Sequence, residues 1–129
     1  MTSYRPARTL FNLKGSGTTT TLTASGTSGA IDIGDSLCLW LAVTVAGTVT
    51  GTSPTLDVQI DLQDVDGNWY AQAAKITQLT AAGAGHVSVG LDMNGAAAIT
   101  LPRTVRVTWT IGGTATPTFP QTSISLTGR

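Results

Sequence analysis

The chain has 129 residues, 41% of them hydrophobic and only 11% charged, with a formal net charge of zero, which fits one domain with no overall electrostatic pull toward nucleic acid or membrane surfaces. No Glu occurs, and Thr, Ser, Gly and Ala carry the solubility, so the composition points away from helices and toward pleated strands. Cys38 is the single cysteine and excludes an internal disulfide; its apolar surroundings predict a small buried thiol.

Residues 1–30 read as an arm or linker, with Arg5, Arg8 and Lys14 charged and no acid before Asp32. Leu10, Phe11 and Leu13 suit a short strand, whereas Gly15-Ser16-Gly17, the Thr18–Thr21 run and Ser25–Gly29 read as loop or connector. Two readings stand side by side. The segment is an edge strand with a loose lead-in, or it is an extended, mildly basic arm that orders on a partner. The segment has no apolar h-region of a signal peptide, and no run in the chain approaches a membrane span, so the expectation is a soluble product of the cytoplasm.

Residues 31–129 read as the folded domain. Leu37, Leu39, Leu41, Val43 and Val45 share one face of a strand whose other face, Cys38, Trp40 and Ala42, is also apolar. A strand apolar on both faces is covered on both. The expectation is that Trp40 lies under the N-terminal segment, with an intermolecular contact as the alternative.

The strongest pattern runs from Leu56 to Trp69. Leu56, Val58, Ile60 and Leu62 alternate with Asp57, Gln59, Asp61 and Gln63, which predicts a strand with one buried and one wet face. Asp64-Val65-Asp66-Gly67-Asn68 supplies turn chemistry, and Trp69 and Tyr70 open the return strand. Residues 71–75 suit either more strand or one helical turn; Ile76 and Leu79 are candidate core. Residues 81–85 read as a small-residue loop, His86–Val89 as a short strand, and Met93-Asn94-Gly95 as a turn. Val105, Val107, Trp109 and Ile111 alternate with Thr and Arg in a second strong strand, Gly112-Gly113 reads as a reversal, and Ser123–Leu126 closes the chain. The fold predicted is all-β, an antiparallel β-sandwich or jelly-roll-like arrangement of about seven to eight strands with an extended N-terminal arm.

Residues able to carry chemistry are few. His86 is the only histidine, no G-x-S-x-G elbow accompanies it, and one His with one Cys makes no zinc site. The Asp61, Asp64, Asp66 and Asn68 oxygens are hard donors. Counting back from Gly67, however, an EF-hand register would start at Leu62 and end at Ala73, so turn capping is the better reading. Lys14-Gly15-Ser16-Gly17 is not a phosphate loop, because Lys precedes the glycines and nothing helical follows. Arg103 and Arg106 are balanced by Asp57 and Asp61, so no basic stripe for nucleic acid arises. No catalytic, cofactor or metal residues are assigned, and no enzyme is expected.

Four segments in order carry a resemblance. They are Ser53-Pro54-Thr55-Leu56-Asp57-Val58, Asp66-Gly67-Asn68-Trp69, Leu101-Pro102-Arg103 through Trp109, and Ile111-Gly112-Gly113-Thr114. Over residues 37–129 the chain resembles small β-sandwich virion proteins of tailed phages of actinobacteria. The resemblance implies a head-decoration or minor capsid protein on the capsid exterior. It would bind the major capsid protein, often as a trimer, and use no cofactor, nucleic acid or membrane. The residues expected to meet the partner are Tyr4, Arg5, Arg8, Leu10, Phe11 and Leu13. A tail or baseplate component and a carbohydrate-binding module using Trp40, Trp69 and Tyr70 are the alternatives.

Overall fold

The computed structural model describes residues 7–13, 20–90 and 101–129, with the side chains of 72 and 73 excepted. Tyr4, Arg5 and the expected turn at Met93-Asn94-Gly95 lie outside them. Among the described residues there is no helix, and the elements are β1 (Arg8–Asn12), β2 (Thr20–Leu22), β3 (Gly26–Thr27), β4 (Ile31–Asp32), β5 (Cys38–Val45), β6 (Thr50–Gln63), β7 (Trp69–Lys75), β8 (Gly83–Gly90) and β9 (Thr104–Gly128). All are paired antiparallel in the order β7-β6-β9-β5-β8, with β1, β2, β3 and β4 pairing β9 as well. The sheet curls as a half-barrel, so its two halves face one another over a common core.

β9 joins the halves. Its first part pairs with β6 (Asp57↔Thr110, Ile60↔Val107), and its last part pairs with β5 (Leu41↔Leu126, Val43↔Ile124). Gly112-Gly113, expected to reverse the chain, instead lies within this strand of 25 residues. Positive φ at Gly113, Ala115 and Thr116, facing Ser53 with φ 49°, introduces bulges against β6, and Gln121, also at positive φ, lies at the register shift against β2. A bulge raises local twist and bends the strand, so the glycines are spent on passing from one half to the other.

The core follows the alternation. Leu56, Val58 and Ile60 of β6, Leu39, Leu41, Val43 and Val45 of β5, and Val105, Val107, Trp109, Phe119, Ile124 and Leu126 of β9 are all buried. Each such side chain contributes roughly 1.5–3 kcal/mol by leaving water. Leu62, the fourth member of the expected β6 stripe, is only half-buried because a register shift between Ile60 and Leu62 loosens that end. Residues 71–75 are strand, not a helical turn, and β8 takes in Gly83–Gly85, which the sequence suggested as loop.

The segment read as an arm builds part of the sheet. β1 pairs with the end of β9 (Arg8↔Gly128, Phe11↔Leu126), and β2 and β3 pair further back along it. The Phe11 and Trp109 rings stack at 6.3 Å with 18° between planes, joining the two halves through the core. Gly26 lies against the same indole: a Cβ there would sit 2.9 Å from Trp109 Cζ2, so only glycine lets β3 approach.

Candidate docking surfaces

The two outer faces of the curled sheet differ in kind. On the half built by β6, β7 and the first part of β9, Asp61 is 1% exposed, although the period of two assigns it to the wet side. Its partners explain this. Arg106 Nε donates to Asp61 Oδ2 at 2.9 Å, Thr108 Oγ1 donates to the same oxygen at 2.7 Å, and Gln59 Nε2 donates to Oδ1 at 2.8 Å. The Arg106 guanidinium lies 4.2 Å over the Trp69 ring, so the aromatic face is already occupied by a cation. Next along the strand, Asp57 accepts from Lys75 Nζ at 3.0 Å and from Gln78 Nε2. A buried charge must be paired and hydrogen-bonded, and this face is a set of such satisfactions.

The hairpin turn at the end of β6 is organised by one carboxylate. Asp64 Oδ1 accepts from the backbone N–H groups of Asp66 (2.9 Å) and Asn68 (2.8 Å), while Oδ2 accepts from Asn68 Nδ2 and Tyr70 Oη. Gly67 adopts φ 90°, as the turn requires. The backbone N–H and side chain of Asn68 hold the Asp64 carboxyl below its ordinary range, and the same carboxylate raises the Tyr70 hydroxyl above its own. Capping accounts for this Asp cluster, and among the described residues no group of three or more His, Cys, Asp or Glu could hold a metal ion.

The other face, over β5, β8 and the last part of β9, carries no charged side chain within those strands among the described residues; Arg129 lies at its end, opposite Cys38. Trp40 is 44% exposed on this face, and Leu37, just ahead of the strand, is 57% exposed. Trp40 is therefore not covered as expected. The described part of the N-terminal segment lies instead along β9, with Leu10, Phe11 and Leu13 turned to the core. Trp40 Nε1 donates to His86 Nδ1 at 3.3 Å across β5 and β8, and the rings meet tilted at 6.0 Å. Ser88 and Thr127 flank Trp40 on the neighbouring strands. Cys38, expected to be buried, is half-buried, with Sγ 3.5 Å from the Arg129 carbonyl oxygen.

The residues expected to meet a partner do not form one surface. Arg8 Nη2 donates to the Ile33 carbonyl at 2.9 Å, and Leu10, Phe11 and Leu13 pack on this chain's own core. Nor do Trp40, Trp69 and Tyr70 form a row: Trp40 lies on the neutral face, Trp69 lies under Arg106 on the opposite face, and Tyr70 caps the hairpin. The exposed Trp40 is what sequence reasoning placed wrongly; the apolar run on both sides of β5 was the signal for it. No family model, no curated protein and no solved structure matches this chain.

Proposed function

We propose that this protein is a structural component of a phage virion that docks on the outer surface of the head and reinforces it. The observation that carries this reading is the neutral face around Trp40. An exposed indole held by His86, on a sheet of hydroxyl and small side chains, suits burial against a protein surface. The resemblance of its order of segments to that of small β-sandwich virion proteins is the reason for choosing a virion as the setting.

Stabilisation then works by mass action: a protein that binds only the assembled lattice shifts assembly toward the bound form. Many copies on one rigid lattice make modest single contacts sufficient. The Trp40 face supplies apolar burial.

The test is reconstitution on emptied heads, with wild type and Trp40→Asp compared by electron microscopy. Head density at high occupancy that is lost in the variant is the expected result. Density on the tail or baseplate replaces this reading with the tail alternative. Full occupancy of the head by Trp40→Asp removes the face from the contact.

A further inference from the structure

The open edges of the sheet are unequal, and the inequality points to a partner. Natural sheets protect their edges with charges, prolines, bulges or short strands, because an unprotected edge pairs with any strand it meets. β7 carries Lys75 and a register shift against β6. The strands that line β9 on its far sides, β1 to β4, run for five residues or fewer, and β1 and β2 are irregular in register. Among the described residues β8 has none of these protections, and no strand pairs with its far side. It reads Gly-Ala-Gly-His-Val-Ser-Val-Gly, without charge or proline, and pairs with β5 from Cys38↔Gly90 to Val45↔Gly83 without a shift.

We propose that the edge of β8 pairs antiparallel with β8 of a second copy of this chain, across a two-fold axis at His86. The occupant follows from the chemistry of the edges. A neutral, regular, unprotected strand meets no charge or bulge only in another of its own kind. The axis follows from parity and burial. Residues opposite one another in an antiparallel pair point to the same face, so a symmetric pairing must centre on a residue and not between two. At the far end Val89 and Gly90 are buried, and a Cβ on Gly90 would sit 2.4 Å from the Leu37 carbonyl oxygen and 2.9 Å from Leu101 Cδ1. The stretch left open runs from Gly83 to Ser88, and of its two equal centres, Gly85 and His86, we take His86, the one with a side chain. Pairing there sets His86 against His86 of the copy, Val87 against Gly85, and Ser88 against Ala84.

The result is one continuous neutral face on which the two Trp40 side chains lie one strand in from the seam on either side. Main-chain bonds over about five residues a side make a small contact by the standards of stable interfaces. Its use is therefore where copies are already held close. The contact links copies in pairs whether or not a three-fold grouping forms elsewhere, and it does not depend on the capsid reading.

Analytical ultracentrifugation of the full chain at high micromolar concentration tests it. Wild type is expected to sediment as an even multiple of the chain. His86→Lys and His86→Asp, each placing like charges at the axis, are expected to halve that mass separately and to restore it when mixed. Val65→Lys, at the exposed hairpin, serves as the control and retains the wild-type mass. Monomeric wild type overturns the proposal, as does an unchanged mass in His86→Lys. A mixture of the two variants that fails to reassociate overturns the two-fold at His86.

Discussion

The outer faces of the two halves make an instructive comparison, because the core beneath them is built alike. Both halves turn Val, Leu and Ile from alternate positions inward, and β9 serves both. Outside, the β6 half pairs its charges among themselves: Asp61 with Arg106, and Asp57 with Lys75. The strands of the β5 half carry no ion pair among the described residues and leave Trp40 44% exposed. One face has its polar groups satisfied internally, and the other has apolar surface without a cover. The second is where a docking partner would find apolar surface to bury.

The sharpest test lies within one strand. Leu41 and Trp40 are neighbours on β5, fully buried and 44% exposed respectively. Leu41→Ala is expected to cost about 3–4 kcal/mol in urea unfolding, through lost transfer energy and the cavity left behind. On the charged face, Arg106→Ala is expected to cost about 3 kcal/mol. It leaves the Asp61 carboxylate buried without its cation, and the value sits at the low end for breaking a buried pair because Arg106 is 28% exposed at the side chain. An Arg106→Ala midpoint within error of wild type would mean that the face is not held by that pair. Trp40→Ala is expected to cost about 1 kcal/mol or less while abolishing head binding, which separates docking from folding.

The smallest effect is at the hairpin. The folded Asp64 carboxyl titrates below its unfolded value, so its contribution to stability is present above the unfolded pKa. That contribution is lost as pH falls through the folded one. Asp64→Asn is expected to flatten the acid limb of urea midpoints measured between about pH 2 and 5, and an unchanged limb would exclude the carboxylate as its source.

These contrasts also mark how far the sequence could be read. A period of two was enough to place Leu56, Val58 and Ile60 in the core, Trp109 beside them, and the turn at Gly67, because each depends on neighbours a few positions away. Asp61 was not legible in the same way: its burial comes from Arg106 and Thr108, 45 and 47 positions along the chain. Alternation likewise identifies two apolar faces on β5 but not which of them a second layer covers. Gly112-Gly113 carries the local chemistry of a reversal and was overridden by the pairing of β9 on both sides. Of the surface proposed for docking, Trp40 was visible as a residue and misplaced as an environment.

The position of β9 has a consequence for how the protein is made. Six other strands hydrogen-bond to it, including β1, whose Arg8 is registered with Gly128. A nascent chain therefore holds β1 to β6 without their common template until residues 104–128 have emerged from the ribosome. Pairings of such sequence separation close slowly, on the order of milliseconds to seconds. During that wait β5 with β8 and β6 with β7 can already pair, whereas β1 to β4 have no strand to join until β9 arrives.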